Sequence, residues 1–82
     1  MSEVGHDLHA LFPTRTAILH KLKLESERFR TLAQRHHELA QQIGRIEAGL
    51  DAASDDRLDD LKKQRLVLLD DIAGMIAQDE EA

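Results

Sequence analysis

No cysteine occurs in the 82 residues, so disulfides, thiolate metal sites and cysteine nucleophiles are excluded together. Trp and Tyr are absent and only two Phe are present, which makes the 41% hydrophobic content almost wholly aliphatic. That composition builds a thin stripe rather than a thick core, and it offers no aromatic platform on which single-stranded nucleic acid could stack. No apolar run approaches the roughly 18 to 20 residues needed to span a bilayer. The segment from Met1 to Pro13 also lacks the basic start and continuous apolar stretch of a secretory leader. These absences predict a soluble, unprocessed, cytoplasmic protein with no membrane partner. Enzymatic constellations are missing too: there is no glycine-rich phosphate loop and no Ser beside a plausible base, so neither catalysis nor a cofactor is expected.

What the chain does contain is a pair of ladders at 3-4-3-4 spacing. The first runs Phe29, Leu32, His36, Leu39, Ile43, Ile46, Leu50, and the second Leu58, Leu61, Arg65, Leu68, Ile72, Met75. Each repeats every seven residues, as one stripe of an α-helix must. Strand signals are lacking, so the expected class is all-α: an antiparallel two-helix hairpin, coiled-coil-like, with a short additional N-terminal helix. A short connection makes the two long helices antiparallel neighbours, and facing residues then have numbers summing to about 104. The resulting layers pair Ile46 with Leu58, Ile43 with Leu61, Leu39 with Arg65, His36 with Leu68, Leu32 with Ile72, and Phe29 with Met75.

Local chemistry sets the expected boundaries. Residues 1–12 read as a flexible lead with at most one turn near Asp7 to Leu11, and 13–77 as the hairpin domain. Pro13 suits the first turn of a helix over about 14–24, because its missing N–H needs no partner there. Ser26, followed by Glu27, can cap a second helix over about 26–49, which leaves open whether the chain kinks there. Gly49 can take the left-handed conformation that closes many helices, with Leu50 folding back onto Ile46. The turn is 50–54. Ser54 followed by Asp55 and Asp56 then starts a helix over about 55–77, since the hydroxyl accepts an orphan N–H and the acids oppose the positive dipole end. Residues 78–82 read as a frayed acidic tail.

Charge is unevenly placed within a net of −5. Between Arg15 and Arg45 seven Lys or Arg against three acids give +4, whereas from Asp55 onward four against nine give −5. The simplest reading is complementarity within the hairpin or its oligomer. The alternative is a nucleic-acid-associated protein that binds phosphates through the basic first helix and Lys62, Lys63 and Arg65. His36 and Arg65 are the polar members of otherwise apolar ladders. They are expected to be structural, the histidine sending its polar edge to solvent or Glu38 and the arginine laying its methylenes across the seam, with a register-fixing role as the sharper reading. His6, His9 and His20 invite a metal reading, yet they lack the further ligands of a real site, and His36 and His37 point about 100° apart on a helix. No metal site is expected. A second apolar stripe, Leu66, Leu69, Ala73 and Ile76, widens the last helix beyond one seam. It is the candidate interface for a homo-oligomer, dimer or higher, or for an unknown protein partner.

A resemblance rests on His6-Asp7-Leu8-His9, Phe12-Pro13, Leu22-Lys23, Phe29, Leu32, His36-His37-Glu38-Leu39, Ile43, Arg45-Ile46-Glu47, Leu61-Lys62-Lys63-Gln64-Arg65-Leu66 and Asp70-Asp71-Ile72. Together these make the chain similar to the YdcH-like small proteins, a bacterial family of short helical hairpins classed as a domain of unknown function. The resemblance implies a helical hairpin and a cytoplasmic bacterial protein, and it brings no activity with it. Leu69 stands where family members often have Lys, and Ala40 where they often have an acid; the first departure adds to the apolar face.

Overall fold

A computed structural model of the protein describes residues 6–81, with side-chain burial from Leu8 onward. Four helices follow in order: α1 His6–Leu11, α2 Thr16–Glu25, α3 Glu27–Glu47 and α4 Asp55–Glu81, with no strand among the described residues. α3 and α4 form the antiparallel hairpin that the ladders predict, and α1 and α2 pack at its open end. At about 1.5 Å per residue a 27-residue helix spans about 40 Å. α4 therefore sets the 43 Å long dimension of the molecule.

The helix ends follow the capping residues. Ser26 closes α2 and opens α3 at once: its extended backbone (φ −120°, ψ 113°) breaks the helix, its N–H donates to the Leu22 carbonyl, and its hydroxyl accepts from the Phe29 N–H at 3.1 Å. The open question of a kink is settled by this residue. At the other end of α3, Gly49 is left-handed (φ 78°), with its N–H on the Ile46 carbonyl and that of Leu50 on the Arg45 carbonyl. These two bonds satisfy carbonyls that the helix would otherwise leave open. Leu50 itself does not fold back, being 67% exposed. Arg45 instead grips the turn through Asp51, and Ser54 then caps α4 by accepting from the Arg57 N–H at 3.1 Å.

The core has two parts. Near the turn, Leu39 and Ile43 of α3 meet Leu61 and Leu68 of α4, flanked by Leu32, Ile46 and Leu58. Toward the open end, Leu8, Leu19 and Leu22 join Phe29, Ala33, Ile72 and Ile76, with Phe12, Ile18, Leu32, Leu69 and Met75 alongside. Near the turn the expected ladder holds. At the open end the buried face rotates by one residue: Ala33 and Ile76 are buried, whereas Leu32 and Met75 are half-buried. The cause is a change in neighbours, since two more helices cover the flank there and a two-helix seam no longer defines the inside.

Both chain ends of the domain differ from expectation. The segment read as a lead contains α1, whose Leu8 is 1% exposed and fully part of the core. The segment read as a frayed tail continues α4 to Glu81. Arg15 pairs with Glu80, and Lys21 bonds Asp79 at 3.1 Å, so the acidic end of α4 is tied to basic α2. Exposed pairs of this kind contribute little because water and salt screen them, and the buried leucines are the larger stabilising term at roughly 2 to 3 kcal/mol apiece.

Candidate interaction surface

The polar seam positions occupy different depths. His36 lies on α3 between the two core clusters, 2% exposed, with both ring nitrogens shielded from solvent. The expectation that its polar edge reaches water is thereby corrected: with Ala33 and Leu39 buried on either side, the ring has no route outward. Arg65 is half-buried on α4.

The stripe expected as an interface is divided by the fold. Ile76 is 4% exposed beneath α1 and α2, and Leu69 is half-buried against the same cluster. Leu66, at 59% exposure, and Ala73 remain on the surface. The stripe is wider than one seam, and the helices that precede the hairpin cover part of it. The structure adds Val67, also 59% exposed, beside Leu66. The other large exposed apolar residues, Leu11, Leu24 and Leu50, lie near the ends of helices or in the turn, so Leu66 and Val67 form the one adjacent pair at mid-helix among the described residues.

Electrostatics tie the helices together. Lys62 of α4 pairs with Glu47 of α3 at 3.2 Å, and Arg45 donates to both carboxylate oxygens of Asp51 at 2.8 and 3.2 Å. That hydrogen-bonded pairing holds the Asp51 carboxyl below its usual range and raises the Arg45 guanidinium. The hydrogen bond to Asp79, with Coulombic help from the same carboxylate and Glu25, raises the Lys21 ammonium. The opposite charges of the two halves of the chain are thus spent in part on intrachain contacts.

Depressions between α3 and α4, such as that lined by Arg35, Glu38, Gln42, Arg57 and Gln64 over Leu39 and Leu61, are open and polar. No group of three His, Asp or Glu stands close enough to hold a metal ion among the described residues. His20 is exposed on α2, His9 is half-buried on α1, and the His6 side chain lies outside the described residues. No helix among the described residues is long and apolar enough to cross a membrane.

A helical hairpin capped at Gly49 and Ser54, with a divided aliphatic core and open depressions between its helices, defines a class of small all-α fold. Within that class the family is known: residues 29–76, more than half of the chain, match the model described as a protein of unknown function (DUF465), and the chain belongs to that family. The match covers most of α3, the turn and most of α4. No curated protein and no solved structure matches the chain.

Proposed function

We propose that this protein is a non-catalytic interaction module, a helical hairpin that self-associates or docks onto a protein partner. The observation that carries the reading is the Leu66–Val67 pair, left 59% exposed at the middle of α4 although neither side chain is needed by the core. Burying a pair of large aliphatic side chains against another molecule is favourable by roughly 1.5 to 3 kcal/mol per residue when complete. The nucleic-acid alternative finds less support. Arg15, Lys21, Arg45 and Lys62 are already paired with acids of the same chain.

Sedimentation equilibrium tests the reading on the intact protein. The apparent mass is expected to rise above 9.3 kDa with concentration, or a crosslinker placed at position 67 to capture a defined protein in the native cell, and Leu66→Glu to abolish either effect. A strictly monomeric chain that captures no protein would reject it. A salt-dependent mobility shift with duplex nucleic acid, unaffected by Leu66→Glu, would favour phosphate binding instead.

A further inference from the structure

The outer face of α4, opposite the core, carries Lys63, Leu66, Val67 and Asp70, all exposed. Their spacing, i, i+3, i+4 and i+7, places the four on one helix stripe. Taken about a centre between Leu66 and Val67, the stripe is symmetric in apolarity and antisymmetric in charge: a cation three residues to one side and an anion three residues to the other. Such a pattern is complementary to itself under a two-fold axis perpendicular to the helix. We propose that α4 pairs antiparallel with α4 of a second copy of this chain, Leu66 meeting Val67 of the other copy and Lys63 meeting Asp70 at both ends of the contact. This assignment rests on the interaction-module reading and names its partner, face and register.

Three features of the surface favour this occupant. Lys63 and Asp70 enter no ion pair with another described residue, whereas neighbouring Lys62 is engaged by Glu47. Beyond the centre the same register sets Asp60, Asp59 and Asp56 against Ala73, Gly74 and Ala77, so the acids of one helix meet small uncharged residues and no like charge. Small residues also let helix axes approach to the 8 to 10 Å of close packing, and nothing lies within 4 Å of where a Gly74 side chain would begin, so the fold itself does not require glycine there. A contact centred on four side chains falls below the roughly 1,200 Å² of a stable complex, which makes the dimer reversible, with dissociation in the micromolar range or weaker.

A charge-swap series decides the matter by sedimentation equilibrium up to about 500 µM, with circular dichroism melts confirming that each variant is folded. Lys63→Glu alone sets two pairs of acids against each other, and Asp70→Lys alone two pairs of lysines; each should weaken dimerisation about tenfold or more. The double variant Lys63→Glu/Asp70→Lys keeps the antisymmetry with its signs reversed, and should return to within about threefold of the original affinity. Half-molar salt should weaken the original dimer. If the original protein dimerises but the single reversals leave the affinity unchanged, or the double variant stays as weak as the singles, the register is wrong while self-association stands. If the original protein is monomeric throughout, the second copy is ruled out as occupant, and only docking to a different protein survives of the broader reading.

Discussion

Replacing Ile76 by alanine separates the core role of this residue from the surface role its stripe suggests. Ile76 is 4% exposed, packed among Leu8, Leu19, Leu22, Phe29, Ala33 and Ile72. The substitution removes three carbons, which at about 0.8 kcal/mol each is a transfer loss of about 2.4 kcal/mol. A residual void of roughly 50 Å³ would add about 1.2 kcal/mol at about 24 cal/mol per Å³, and collapse of the site would remove that addition. The expected destabilisation is therefore about 2 to 4 kcal/mol, or a fall in melting temperature of roughly 10 to 25 °C for a domain of this size. Leu66→Ala, on the same stripe but 59% exposed, should cost less than about 0.5 kcal/mol in the monomer. Urea unfolding of both variants at one low protein concentration measures the contrast without a contribution from association. Similar losses at the two positions would refute the division of the stripe, and a loss at Ile76 below about 0.5 kcal/mol would mean that α1 and α2 do not cover it.

Two further predictions concern single residues whose roles the fold makes opposite or conditional. Gly44→Ala should stabilise by about 0.5 to 1 kcal/mol, since the residue is helical with nothing within 4 Å of the new methyl, whereas Gly49→Ala should destabilise by about 1 kcal/mol because φ is 78° there; thermal melts of the pair give the signs directly. The Asp51 carboxyl is held below 3.8 by its hydrogen bond from Arg45, and a group with a depressed folded pKa contributes stability that is present above the unfolded value and lost as pH falls through the folded one. Asp51→Asn should therefore lower stability at neutral pH and flatten its decline below about pH 4, and an acid limb unchanged from the original protein would show that the pair adds nothing.

How much of this could be read from the residues depended on the range of the interaction. Gly49, Ser54 and Ser26 act on backbone groups within three or four positions, and their roles as terminators and caps are legible because the chemistry is local. The hairpin and its near-turn layers were legible for a related reason: Ile43 and Leu61 are brought together by a short connection, which leaves little choice of register. Leu8 was not legible. A helix of six residues offers too few positions to show a period, and its place in the core depends on joining a cluster whose other members, such as Ile72 and Ile76, lie far along the chain. Leu50 continues the first ladder at the right spacing, yet it is exposed because the left-handed Gly49 turns the chain before that residue can follow the helix face. The exposure of the second stripe was half legible: periodicity found its four members but could not tell which of them the preceding helices would cover.

The division of the stripe bears on what the hairpin matched by the family must do on its own. The matched segment begins at Phe29 and ends at Ile76, and both residues lie in the open-end cluster whose cover comes from Leu8, Leu19 and Leu22 outside it. At that end, α3 and α4 alone would leave Phe29, Ala33, Ile72 and Ile76 with one flank bare, a patch of the kind that drives association. In this chain α1 and α2 occupy the flank, and Arg15 and Lys21 hold them to Glu80 and Asp79. The helices that precede the matched segment therefore do more than extend it: they satisfy the larger apolar demand internally, and the association proposed above falls to the smaller Leu66–Val67 face. In that proposal strong burial is directed inward and weak burial outward, the ordering that a folded monomer capable of reversible contact requires.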